Sequence, residues 1–318
     1  MPLHHYIAAT FLANFSRDEK VPRRERVLSV ADKRAGTTFT TTAERICAVH
    51  DFYTVKSSGW PDDAVDRCVS GFEPTLHLAL EELTQGTLDA ATWAGALVPF
   101  VTSLLVRGPD FNQRYEDRLE KNIPGILGHF GPNRLRDNTN MSRVMEQQRL
   151  WIPVLAAQWH VLRVSGRYAQ ITSDVGYAIS FDRRTNNFGI AAPIGSHHIL
   201  HVVPAKRRVI ARAREGKWWP LIEYYNLEDD QHLELLRAVA GQARRFVIGP
   251  DEETTRRYAM KEPKPLRSYD PDELGFINGA LRRKWEMTYF AILPKLSEVA
   301  PADGSIMRLD LENDIPPE

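Results

Sequence analysis

The hydrophobic pattern changes from helical spacing to period two near Gly166, and that change constrains the fold most. Before it, apolar residues recur at helical spacing. Val65, Cys68, Val69, Phe72, Leu76, Leu80 and Leu83 line one helix face after Asp62-Asp63, and Gly86 closes that run. A restart at Thr87 or Asp89 leads through an uncharged stretch, Ala90 to Val106, up to Arg107. Asp110 to Lys121 reads as an amphipathic helix, and a long helix is expected from about Asn138 to Val164. Pro74, Pro99 and Pro153 fall inside these patterns, so kinks or breaks are expected at all three.

After Gly166 the period is two. Tyr168–Thr172, Tyr177–Phe181, Phe188–Ala191 and Ile199–Val203 read as short strands, with a polar turn over Asp182–Asn187. Trp218–Tyr225 is a further candidate strand. Helices return at Asp229–Arg245 and Asp272–Tyr289, separated by a proline-rich, charged loop from Gly249 to Pro271. Strands that cluster rather than alternate with helices argue against Rossmann and barrel folds. The expected fold class is α+β: a helical middle segment packed against a mainly antiparallel sheet drawn from 167–225. The expected organisation is a single α+β domain over 1–300, helix-rich to 165, strand-rich over 166–226 and helical over 227–300. A polar tail follows from 301 to 318.

The first fifty-five residues add smaller elements. Tyr6, Phe11, Leu12 and Phe15 share a face of a short helix entered from an extended lead, and Val27–Val30 reads as a strand that turns near Asp32-Lys33. Thr40-Thr41-Thr42 offers cap chemistry for a short helix to about His50, followed by a second strand over Phe52–Val55.

Charge narrows the function classes. Forty-one Lys and Arg balance 41 Asp and Glu, which argues against a protein whose main task is to coat nucleic acid. The uncharged run is shorter than the roughly 20 residues needed to span a bilayer, so it reads as a buried central helix and no membrane partner is expected. Cys47 and Cys68 form no Cys-x-x-Cys pair and read as free, buried thiols in a cytoplasmic protein.

No phosphate-cradling glycine loop, Gly-x-Ser-x-Gly or His-Glu-x-x-His occurs. Four weaker constellations remain. His197 and His201 would share a face on a helix, but their flanks favour a strand, which sets them about 13 Å apart, too far to share an ion. Trp218-Trp219 and Tyr224-Tyr225 beside Arg207, Arg208, Arg212 and Arg214 can stack single-stranded nucleic acid, or pack as ordinary strand aromatics. Arg107 before Gly108-Pro109 can grip an anion or satisfy the last carbonyls of its helix. His5-Tyr6 with Thr172-Ser173-Asp174 can supply an acid–base pair or part of a metal site, or act as packing and turn residues.

Those last residues carry a family resemblance. His5-Tyr6-Ile7-Ala8 followed by Phe11-Leu12-Ala13-Asn14-Phe15 resembles the opening of the domain-of-unknown-function family 4238, a His-Tyr-x-Pro motif before an aromatic-leucine-x-x-phenylalanine helix. The Val27–Val30 strand, Phe52-Tyr53 and Glu73 are similar too, and Arg107-Gly108-Pro109 resembles that family's Arg-Thr-Pro. Thr172-Ser173-Asp174 resembles its Ser-Asp-x-Pro strand, and Asn278 matches a late-helix asparagine. Ala8 and Gly176 stand where the family has proline. The resemblance runs from about 5 to 290 and implies placement, without an activity.

From these motifs we expect a cytoplasmic, hydrolase-like enzyme acting on a phosphorylated or nucleotide substrate. His5 is the expected general acid/base, with Asp174 as its orienting partner or a metal ligand. Arg107 is the expected clamp for a small anionic substrate, with Tyr6 and Ser173 contributing to binding. The residues name no cofactor and no particular metal. The alternative is a non-enzymatic binding or interaction protein in which the same motifs are folding signatures. A nucleic-acid-binding module is a third reading, which needs a basic face around Arg207 to Arg214.

Overall fold

The computed structural model describes residues 2–56, 59–155, 157–182, 187–203 and 222–259. The expected turn at 183–186, the aromatic and basic stretch 207–219, the helix over 272–289, Asn278 and the tail lie outside the described residues.

Strand β1 (Leu3–His5) leads into helix α1 (Ala9–Leu12), which tightens to a 3-10 turn over Ala13–Phe15. Strands β2 (Val27–Asp32) and β3 (Thr37–Thr42) form a hairpin in which Val27 faces Thr42 and Asp32 faces Thr37. The Asp32 carboxylate accepts the Arg34 and Ala35 N–H groups, and Gly36 at φ +67° completes the turn. Here the expected short helix gives way. The β-branched threonines of 40–42 pair in the sheet, and Ala48–His50 is strand β4, paired antiparallel with β1. Nor is 52–55 a strand. Its backbone is spent elsewhere, with Tyr53 N–H bound by His4 Nδ1 and Lys56 N–H by both Asp137 oxygens.

The apolar run after Asp62 splits into α2 (Ala64–Ser70) and α3 (Glu73–Gln85), with Pro74 in the first turn of α3. Gly86, at φ +76°, closes α3 with the left-handed cap expected of it. Asp89 caps the next helix by accepting the Thr92 N–H at 2.7 Å. That helix runs as α4 (Ala90–Thr92), a π turn over Trp93–Leu97, and α5 (Val98–Val106). Pro99 therefore does not break it. The wider π turn before it takes up the missing N–H and the ring's demand for space. Every residue of α5 is buried, and among the described residues no single helix is long and apolar enough to cross a membrane.

Helix α6 (Asp110–Asn122) follows as expected, and α7 (Pro132–Leu155) ends two residues after Pro153. The expected continuation to Val164 is instead strand β5 (Gln158–Arg163), with Trp159 and Val161 buried and Gln158 and His160 on the other face. Strand β6 (Thr172–Ser173) is shorter than expected, while β7 (Ala178–Asp182), β8 (Asn187–Pro193) and β9 (His198–Val203) match the period-two segments. Strand β10 (Ile222–Asn226) and helix α8 (Asp229–Gln242) come next. Strand β11 (Phe246–Gly249) follows, and the described part of the expected loop after Gly249 holds α9 (Glu252–Ala259), a helix capped by Asp251, which accepts the Thr254 N–H.

The fold is α+β. A five-stranded sheet has the order β10-β5-β9-β8-β7, antiparallel except for the β10–β5 pair. A four-stranded antiparallel sheet has the order β3-β2-β11-β6, so N-terminal strands as well as the 167–225 region build the sheets. The main core joins α1, α3 and α5 to the inner face of the larger sheet through Phe11, Leu76, Val101, Trp159 and Val202. A second core seats α8 on the smaller sheet through Leu236, Val239, Ala31 and Val247. The chain passes from one sheet to the other at residues 174–177, between β6 and β7.

Candidate functional site

His5 ends β1 with its imidazole buried, and its Nε2 lies 2.9 Å from the Glu44 carbonyl. Burial holds its pKa below the ordinary histidine value. The His5 carbonyl accepts a hydrogen bond from the Arg107 guanidinium. Arg107, 1% exposed, also donates to Glu73 at 2.6 Å and through Nε to the Tyr53 hydroxyl at 3.4 Å, while that hydroxyl donates to the Arg107 carbonyl at 3.1 Å. Burial opposes the charge on Arg107, but Tyr53 and Glu73 outweigh it and raise the pKa. The guanidinium thus ties β1, the 53 segment, α3 and the end of α5 together. The last carbonyls of α5 go to two other residues, that of Leu105 to Arg114 at 3.0 Å and that of Val106 to Arg143. Fully buried Arg143 donates to the Val106 and Gly108 carbonyls, with its guanidinium stacked over Phe52, Tyr53 and Phe111.

Asp174 occupies the corner between the two sheets. Its Oδ1 accepts the Arg244 N–H at 2.9 Å and its Oδ2 the Arg245 N–H at 2.8 Å. Only 6% exposed, its carboxyl is pushed up to about 6 by burial, against the pull of the 244–246 backbone bonds. Ser173 is sealed beside it, and its Oγ accepts the Val175 and Gly176 N–H groups at 3.3 Å each. Gly176 needs to be glycine: it has φ +83°, and a Cβ there would lie 2.8 Å from Leu104. The buried Tyr6 hydroxyl faces Cys47 and the field of Asp174, and burial raises its pKa. Tyr6 thus feels the charge of Asp174, and His5 and Arg107 are joined through a carbonyl. The charged groups acting on His5 are Glu73, Arg24 and Arg107. All five expected residues lie inside the protein, and the hydrogen bonds of His5, Arg107, Ser173 and Asp174 described above run largely to the main chain.

Among the described residues, His5, Tyr6, Tyr53, Glu73, Arg107, Ser173 and Asp174 of the resemblance thus gather around two joints. The family model described as a protein of unknown function, DUF4238, matches residues 3–253. The chain belongs to this family. No curated protein and no solved structure matches it.

This DUF4238 chain holds a second polar array that the sequence reading missed. Glu223 on β10 pairs with His160 on β5, and His160 with His201 on β9. The two rings approach Nδ1 to Nδ1 at 3.3 Å, and His201 Nε2 lies 2.7 Å from Ser180 Oγ on β7. His160 Nε2 is 3.5 Å from Glu223 Oε2, within ion-pair reach. The same oxygen accepts from Gln158 at 3.0 Å and from the Tyr225 hydroxyl at 2.5 Å. Strand β8 lies between His201 and Ser180, and it crosses there as glycine. A Cβ at Gly189 would sit 3.2 Å from His201 Nε2 and 2.7 Å from the Val202 carbonyl. The missing side chain is what lets the imidazole reach over β8 to the serine.

One assignment of protons suits the whole row. Ser180 donates to His201 Nε2 and His201 Nδ1–H donates to His160 Nδ1, which leaves the His160 proton on Nε2, 3.5 Å from Glu223 Oε2 and within ion-pair reach without a hydrogen bond to it. Ser180, His160, His201 and Glu223 are half-buried, in contrast to the sealed joints. Cys47 is buried as expected, whereas Cys68 is exposed. Among the described residues no three His, Cys, Asp or Glu side chains gather as a metal site.

Proposed function

We propose that this chain is a hydrolase-like enzyme that cleaves an ester through Ser180. The observation that carries the reading is the 2.7 Å contact between Ser180 Oγ and His201 Nε2, continued by a histidine and a carboxylate. A serine hydroxyl is a weak nucleophile until an adjacent base takes its proton. In the first step Ser180 Oγ bonds to the ester carbon as His201 accepts the hydroxyl proton. The bond to the leaving alcohol then breaks, and His201 returns that proton to the alcohol. Water, deprotonated by His201, releases the acid and restores the Ser180 hydroxyl. His160 and Glu223 hold the His201 tautomer and support its positive charge.

His5, Tyr6, Arg107, Ser173 and Asp174 serve in this reading as the frame around the two joints rather than as reacting groups. Arg107 is engaged by Glu73, Tyr53 and the His5 carbonyl, so the substrate is taken as an ester without an anion clamp. A cytoplasmic setting accords with two unpaired thiols.

The test is labelling of the full chain by a fluorophosphonate probe, with turnover of p-nitrophenyl acetate and p-nitrophenyl phosphate. Ser180→Ala is expected to abolish labelling and to lower ester turnover by about 10³-fold or more. His201→Ala is expected to lower turnover comparably. Activity that survives in Ser180→Ala overturns the reading, and a wild-type chain inert to all three reagents favours the binding-protein alternative.

A further inference from the structure

Among the described residues, strand β7 is the outer strand of the five-stranded sheet, with its ladder toward β8. Its outer side is held by a side chain. Gln242, in the last turn of α8 and 8% exposed, accepts the Ile179 N–H on its Oε1 at 2.8 Å. Ile179 directly precedes Ser180. Two and three residues past Gln242, the Arg244 and Arg245 N–H groups bind the Asp174 carboxylate. The stretch 242–245 therefore grips the segment 174–180 at both ends, once at the corner and once beside the serine.

That grip has a consequence for the row. The Ser180–His201 contact spans an intervening strand, so no backbone bond between β7 and β9 fixes its length. What sets it is the β7–β8 ladder and whatever holds the outer side of β7. An edge strand bonded on one side only opens more readily than an inner one.

We propose that Gln242 is a positioning residue for Ser180: its amide oxygen pins β7 so that the serine hydroxyl stays within reach of His201. The proposal rests on the reading of Ser180 as nucleophile. A displacement of the order of 1 Å between reacting groups costs up to about 10²-fold in rate, and loss of one anchoring bond is expected to cost part of that.

The full chain is assayed on p-nitrophenyl acetate as wild type, Ser180→Ala, Gln242→Met and Gln242→Glu, well below the melting temperature of each. Methionine keeps the length without the acceptor, and glutamate keeps the acceptor. Gln242→Met is expected to lower kcat about tenfold with KM unchanged, and Gln242→Glu to restore most of it. In parallel, hydrogen exchange of the Ile179 amide is expected to be slow in wild type and in the glutamate variant, and faster in the methionine variant.

An Ile179 amide equally protected in Gln242→Met overturns the clamp whatever the activity shows. So does an unchanged kcat in Gln242→Met while Ser180→Ala is dead. A loss of kcat that is the same in both Gln242 variants and follows their melting temperatures marks a purely structural role and overturns it as well. A Ser180→Ala chain that still turns over the ester removes the nucleophile reading instead, and amide exchange then continues to report on the clamp alone.

Discussion

Two polar regions of this DUF4238 chain differ in where their hydrogen bonds go. Around Arg107 and Asp174, side chains bind main-chain groups that are distant in sequence, and almost no surface is left. Along Glu223, His160, His201 and Ser180, side chains bind one another across strands and remain half-exposed. A buried group that satisfies a backbone carbonyl or N–H is difficult to remove, because its loss strands a partner that has no water to turn to. A side chain that binds another side chain on a sheet face leaves no such debt, and it keeps a lone pair or a proton that a reaction can use. The first region is expected to govern stability and the second chemistry.

The largest effect is expected at Arg107. Its removal leaves the Glu73 carboxylate partly buried and the His5 carbonyl unpaired, so Arg107→Met should cost about 3–5 kcal/mol of unfolding free energy. Denaturant titration reads this directly. Arg107→Lys should recover little, since a single ammonium cannot reach Glu73, Tyr53 and the His5 carbonyl together. A loss below about 1 kcal/mol would mean that the joint is not what holds β1, α3 and α5 together.

Asp174 gives the next effect, and its sign is distinctive. A carboxyl raised to about 6 binds its proton more tightly folded than unfolded, from the reference value of 3.8. Between those two values the folded state holds the extra proton, so this group's contribution to stability falls as pH rises through the window and is flat above about 7. The size is roughly 2–3 kcal/mol. Buried His4 and His5, with pKa values lowered by desolvation, act in the opposite sense: the stability they lend is present above 6.5 and lost as pH falls through their folded values. The informative quantity is therefore the difference between wild type and Asp174→Asn. The variant should be the less stable near pH 4, because its amide turns an NH₂ toward one of the two backbone N–H groups. That deficit should shrink toward pH 7. A deficit that grows with pH would place the Asp174 carboxyl below its reference value and reverse the account.

The contrast between the regions also explains what could be read without a structure. His5, Tyr6, Arg107, Ser173 and Asp174 are visible as polar residues at the ends of apolar segments, and α3, α5, α6 and the strands β7 to β9 follow from periodicity alone. Their partners are not visible, since Arg107 meets His5 across 102 residues and Asp174 meets Arg244 across 70. His160 was hidden for a local reason. Trp151, Val154, Leu155, Trp159 and Leu162 fit a helical stripe, while Trp159 and Val161 fit a strand equally well, and only the sheet decides between them. Strand β11 and helix α9 were masked by the charge and prolines around them, although Asp251-Glu252-Glu253-Thr254 carries a cap signature. Register is the deepest loss. Nothing in two separate histidine-bearing segments says that 160 faces 201, or that a glycine at 189 opens the way to Ser180.

The smallest expected effect on stability sharpens the comparison most. Ser180→Ala and His160→Gln each remove one member of a half-exposed row whose hydrogen bonds described above run from side chain to side chain. Each should change unfolding free energy by less than about 1 kcal/mol, the range usual for partly exposed side chains. The same two variants should separate from wild type in ester turnover, with Ser180→Ala dead and His160→Gln retaining part of the rate because His201 still meets the serine. Measured together, stability and turnover place each residue on one of two axes. If Ser180→Ala or His160→Gln destabilises the chain as strongly as Arg107→Met, then the row is a second structural joint, and the division of labour between the two regions fails. If neither moves stability while turnover falls, the row is held by the fold and does not hold it, as expected of groups kept for reaction rather than for packing.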